Sequence, residues 1–201
     1  MKTLKFAHPF KPLFALTALI LTLALVIPAH AAPTVRPFAG KTTVQPSEDF
    51  AGALEALGIE LGIIRPAYER RGYISFRIPG GAIDLGSLNG EILHLGGLSL
   101  TDGDGTRVEL LNFIIDTTDL VLTGQVTVDG DLVARIPLFN LELTTPPEVK
   151  NIKLTIRNVN VTLTAEAADA LNAVFAVDAF VPDFSIGEAW VKALFYKDHI
   201  D

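Results

Sequence analysis

Cysteine is absent from the 201 residues, methionine and tryptophan occur once each, and histidine occurs four times. A disulfide, a thiolate metal site and a cysteine nucleophile are therefore excluded. Basic residues are the scarcer charge, 16 Lys+Arg against 23 Asp+Glu, for a net charge of −7. Such a chain lacks the positive surface that neutralises phosphates, so nucleic acid is not an expected partner. Serine never sits in a G-x-S-x-G elbow. No internal repeat of 20–50 residues is visible. Charged residues make up only 19% of the chain and hydrophobic ones 49%, a balance too apolar for disorder.

The one long apolar run is at the start. Lys2, Lys5 and Lys11 precede Leu13 to Ile27, which only Thr17 and Thr22 interrupt; Pro28 and Ala29-His30-Ala31 follow. A basic region, an apolar region and a small-x-small site in that order are the layout of a secretory signal peptide over 1–31. The run is shorter than the roughly 20 residues of a membrane-spanning helix. Cleavage there implies a secreted or periplasmic protein with no membrane span in its mature form. It also removes three Lys and no acid, so the mature charge is −10, and it leaves His94 and His199 as the mature histidines.

Residues 32–46, with Pro33, Pro37 and Pro46, read as an extended leader, and 47–201 as a single β-rich domain. Ser47 is placed to cap a short helix bearing Phe50, Leu54 and Leu57 on one face, with Gly58 ending it. From Gly72 the period becomes two. Ile74, Phe76 and Ile78 alternate with polar residues, and Pro79-Gly80-Gly81 is expected to turn the chain. Further strands are expected over 92–100, 108–115, 120–128 and 132–143, with turns at Asp102–Gly105 and Asp129-Gly130. In the next strand the apolar parity switches between Ile156 and Val159, which predicts a bulge near Arg157-Asn158. Thr164 caps a second helix with Ala168, Leu171 and Phe175 on one side. A last strand, 184–196, has Phe184, Ile186, Trp190 and Leu194 on one parity, which places Trp190 in the core. The expected fold is mainly β, an antiparallel sandwich or open barrel with two short helices.

Residues able to carry chemistry are few. Asp102-Gly-Asp104-Gly resembles the start of a calcium loop, but its twelfth position is Phe113, not an acid, so a hairpin turn is the simpler reading. A Ser-His-Asp set would have to use His94 or the near-terminal His199. No spacing singles out a carboxylate pair for glycoside cleavage. Asn160-Val161-Thr162 matches a glycosylation acceptor but lies within a strand. His94 is the most informative residue. An imidazole inside the apolar strand Ile92-Leu93-His94-Leu95 must be hydrogen-bonded to the protein, contact a ligand or face solvent. Gly96 and Gly97 after it permit close approach of another backbone or of a flat ligand. Tyr68, Tyr73 and Tyr196 are the only tyrosines; Tyr73 lies on the polar parity of its strand, and a phenolate can ligate ferric haem.

Three stretches, Ile78–Asp84, Gly90–Leu98 and Val108–Phe113, together with Leu163-Thr164-Ala165 and Ile186-Gly187, resemble the HtaA-type domains over roughly residues 70–195. That resemblance implies an exported bacterial domain that binds haem through an axial Tyr supported by a His. His94 matches the histidine. The family's tyrosine lies near the domain start, where Phe50 to Ile64 here contains none, so Tyr68 or Tyr73 would take its place. The functional expectation is a non-enzymatic exported binding domain for haem or another apolar small molecule, with His94, Tyr73 and Tyr68 as the ligand-binding residues and no metal ligands. The alternative is a structural or adhesive module of the cell envelope whose partner is an envelope protein.

Overall fold

The computed structural model describes residues 34–196; the signal peptide read over 1–31, and His199, lie outside the described residues. In chain order the elements are β1 (Thr34–Val35), β2 (Pro37–Pro46), α1 (Glu48–Ala56), β3 (Glu60–Ile64), β4 (Tyr68–Arg70), β5 (Tyr73–Asp84), β6 (Gly90–Leu95) and β7 (Gly97–Thr101). Then come β8 (Arg107–Asp116), β9 (Val121–Val128), β10 (Asp131–Leu143), β11 (Glu148–Lys150), β12 (Lys153–Leu163), α2 (Ala165–Phe175) and β13 (Ser185–Phe195).

Alternation along the strands dictates the architecture. Each long strand has one apolar face, and eight of them bury those faces against one another by closing a ring, β5-β2-β13-β12-β10-β9-β8-β6. Every pairing in the ring is antiparallel, and β6 completes it by pairing β5 on one side and β8 on the other. Of the two architectures expected, the barrel is the one formed, and it is closed. β1, β3, β4, β7 and β11 lie off the ring. The registers place the turns 85–89, 117–120 and 144–147 at one end of the barrel. Both helices and the Asp129-Gly130 hairpin lie at the other.

Capping fixes the helices as the sequence requires. The Ser47 hydroxyl oxygen accepts from the Phe50 N–H at 3.0 Å and donates to the Ser185 carbonyl at 2.8 Å. Thr164 does the same for α2, accepting from the Ala167 N–H at 3.1 Å and donating to the Pro137 carbonyl at 2.8 Å. Ala168, Leu171 and Phe175 are buried, so α2 seals the barrel end with its apolar stripe. Inside, Phe76 and Phe113 meet edge to face at 5.3 Å, a favoured aromatic geometry.

The bulge expected in β12 is present: register slips between Ile156 and Val159, and Asn158 has φ +52°. Four other readings are corrected. Residues 37–46 of the expected leader are not a leader, because they form β2, a barrel strand held between β5 and β13. Pro79-Gly80-Gly81 does not turn the chain. A register shift between Arg77 and Gly80 accommodates the proline, and β5 runs on to Asp84. The stretch 92–100 is two strands, because Gly96 at φ +91° bends β7 away from the ring to pair with β3. Trp190 is not in the core. A second slip in β13, at Gly187, resets the parity so that Ala189, Val191, Ala193 and Phe195 point inward. Trp190 then lies on the outer face, where its indole N–H donates to Asn158 Oδ1 at 3.3 Å.

Gly187 has φ +151°, and a Cβ there would run into the Gln45 carbonyl. Gly187→Ala is expected to cost about 2 kcal/mol and to lower the urea midpoint while the far-ultraviolet spectrum stays β-type. An unchanged midpoint would show that the bulge does not depend on glycine.

Candidate functional site

Strand alternation explains how a histidine reaches the interior. Along β6 the inward positions are Ile92 and His94, and the outward ones, Leu93 and Leu95, are exposed. On β2, two strands round the ring, Thr42, Val44 and Pro46 face inward. The His94 ring lies across β5 and meets Thr42, with Nε2 2.6 Å from the hydroxyl oxygen. His94 is 4% exposed. Its Nδ1 is the one buried side-chain polar atom among the described residues without a hydrogen-bond partner. In either tautomer one ring nitrogen is satisfied and the other is not, which is costly in an apolar interior. Burial pushes the pKa of His94 down from 6.5 to about 4; the neighbouring Phe113 and Ile92 backbone, which favours the charged form, offsets only part of this.

His94 and Thr42 line a cavity of about 290 Å³ inside the barrel. Its walls are aliphatic and aromatic, among them Phe76, Phe113, Leu122, Phe139, Leu154 and Val191. It is about twice the size of the roughly 150 Å³ apolar cavity that takes up benzene. At one end its lining includes Ser87 and Leu120, both exposed, together with half-buried Leu88, Thr117, Leu143 and Pro147. There the cavity reaches the surface. Phe50 of α1 stands at the helix end of the same cavity. Thr117 ties the mouth together, its hydroxyl reaching the Leu88 and Gly90 carbonyls at 2.7 and 3.0 Å. Beside it, Asp84 accepts from the Ser87 N–H at 2.7 Å and its hydroxyl at 2.9 Å. Those bonds, the backbone one first, hold the Asp84 carboxyl below its ordinary range.

The tyrosines lie elsewhere. Tyr68 and Tyr73 are 43% and 40% exposed on the outer face, and neither lines the cavity. Tyr68 sits opposite Ser75 with the Lys41 ammonium 3.5 Å from its oxygen; the Ser75 hydrogen bond, then Lys41, lowers its pKa. Tyr73 packs beside Trp190 at 6.2 Å between ring centroids, and Tyr196 on Phe38 at 4.4 Å. The structure thus brings His94 together with Thr42 and separates it from both Tyr68 and Tyr73 by the thickness of the sheet. The close approach that Gly96 permits is to backbone, because Ala67 occupies the space a Cβ would need. The Asp102 turn uses its own carboxylate, which accepts from the Asp104 and Thr106 N–H groups at 3.0 and 2.8 Å. Among the described residues no three His, Asp or Glu side chains gather into a metal site.

A closed eight-stranded barrel around an apolar, surface-connected cavity defines the chain's class as an antiparallel β-barrel with an interior cavity. Within that class the chain has the HtaA-type domain fold. It superposes on the C-terminal domain of HtaA from Corynebacterium glutamicum with a TM-score of 0.65 at 15% identity, over 81% of this chain and 99% of that one. The N-terminal domain of HtaA gives 0.57 at 12% identity over 80% and 98%. The heme-binding protein HtaB of the same organism gives 0.50 at 14% over 81% and 95%. No protein-family model matches the sequence, and no curated protein does. The residues here do not fit haem as a tyrosine–histidine set, since the imidazole is inside the barrel and both candidate phenols are outside it. Nothing in the spacing of β2 marks Thr42 in the sequence.

Acid provides a test of the buried imidazole. In the unfolded chain His94 takes up its proton near pH 6.5, and in the folded chain only near pH 4. Between these values the unfolded state holds more protons, so stability falls as pH drops through the window, by about 3 kcal/mol in all. Urea midpoints of the wild type are expected to decline from pH 6.5 to 4 more steeply than those of His94→Leu. Parallel slopes would mean that His94 is not buried as a neutral ring.

Proposed function

We propose that the protein is an exported, non-enzymatic binding domain that holds a small apolar molecule inside its barrel. The observation that carries this reading is the 290 Å³ cavity, lined by hydrocarbon and open at the turn end. A domain with a purely structural or adhesive role has no use for such a void, because unfilled apolar volume costs stability. Export is supported by the basic–apolar–small order of residues 1–31. Among the described residues no helix is long and apolar enough to cross a membrane. The absence of catalysis is supported by His94 itself. A ring whose pKa is about 4 is a weak base at neutral pH, and no carboxylate orients it.

Haem is the second reading, and the likeness to the heme-binding protein HtaB favours it. The separation of His94 from Tyr68 and Tyr73 weighs against it.

Titration of the purified protein with 1-aminonaphthalene, a fluorophore small enough for the cavity, is expected to give a saturable change in fluorescence. Ala189 lines the cavity, so Ala189→Phe fills it and is expected to weaken uptake at least about tenfold. No such change with the wild type would overturn the proposal. Hemin forms the second arm: a sharpened Soret band lost in His94→Ala would establish the haem reading, and an unaltered spectrum would remove it.

A further inference from the structure

The cavity also carries information about the charge of what it holds. None of the side chains lining it is ionised in its ordinary state, and no Lys or Arg is among them. A buried carboxylate or phosphate would find no countercharge there, and leaving such a group unpaired in an apolar site costs several kcal/mol. A charged head left outside at the mouth fares no better. Asp84 is hydrogen-bonded to the cavity-lining Ser87, Asp116 precedes the cavity-lining Thr117, and Asp119 precedes Leu120. On the outer face of the same end Glu91 pairs directly with Asp116 across the β6–β8 ladder. Among the described residues none of these four carboxylates makes a salt bridge. The rim is negative, and it repels an anionic head.

We infer, building on the proposed cavity function, that the physiological ligand is an uncharged, mostly hydrocarbon molecule with one hydroxyl-class polar group. The polar group has a partner waiting at depth. The His94–Thr42 pair is the polar feature of the cavity away from the mouth, and the Thr42 hydroxyl oxygen keeps acceptor capacity beyond its bond to His94. Scaled from benzene, whose six heavy atoms occupy a cavity of roughly 150 Å³, the volume of about 290 Å³ accommodates about ten to twelve heavy atoms. A fatty acid anion is disfavoured on both counts, and haem with its two carboxylates is disfavoured in the same way.

The test is displacement of 1-aminonaphthalene by 1-decanol and by decanoate at pH 8, where the acid is fully ionised. The two differ only in the head group. Decanol is expected to displace the probe at least tenfold more tightly than decanoate, and the gap is expected to narrow in Asp84→Asn/Asp116→Asn. Equal displacement by the two would overturn the inference while leaving the cavity a binding site. A preference for decanoate would do the same. Failure of the probe itself to bind would instead overturn the proposed function on which the inference rests. The wild-type comparison needs no variant to fold, so misfolding of the double substitution does not rescue the idea.

Discussion

The architecture depends on closure of the ring between β6 and β8. Only three residue pairs make that ladder, Glu91–Leu93 against Ile114–Asp116. Without them the sheet would have two free edges and the apolar faces of eight strands would be open to water. The ladder is short because β8 serves two partners. Its first half pairs β7 and its second half pairs β6. The change of partner falls at Gly96, whose carbonyl accepts from the Asn112 N–H at 3.3 Å, and at the slip between Leu111 and Ile114. One bent glycine and one bulge therefore separate the strand that closes the barrel from the strand that leaves it.

Closure also explains the histidine. A side chain in an open sheet can turn to solvent, whereas an inward position on a closed ring cannot. Position 94 is committed to the interior by the parity of Ile92, and the imidazole finds one hydroxyl partner two strands away. The neutral ring is what the site can stabilise, and the same enclosure removes water and countercharge from everything else that enters.

Much of this was legible along the chain. Alternation in Ile74–Ile78 and in Leu154–Leu163 located barrel strands, the parity switch located the bulge at Asn158, and Ser47 and Thr164 marked both helices. The failures share a cause: they are places where pairing across the barrel overrides local chemistry. Pro79-Gly80-Gly81 is turn-forming in isolation, yet a bulge absorbs it within β5. The Pro- and Thr-rich β2 has a weak pattern of its own and is a strand because β5 and β13 flank it. Trp190 moved to the surface because Gly187 shifts the register. His94 was readable as a buried polar group. Thr42 and the cavity were not, because they arise from residues more than fifty positions apart and from volume that no single strand encodes. Only their chemistry nominates the tyrosines, and parity alone already puts Tyr73 outside.

Gly124 on β9 faces the interior between the Leu138 side chain and the Phe113 ring, where an added Cβ would come within 2.9 Å of that ring. Phe113 leans into the space the missing side chain leaves, and so the bore of the barrel is set from behind. A methyl group at this position would displace the ring toward Phe76 and narrow the passage. The capacity of the vessel is thus set in part by a residue that does not form its wall.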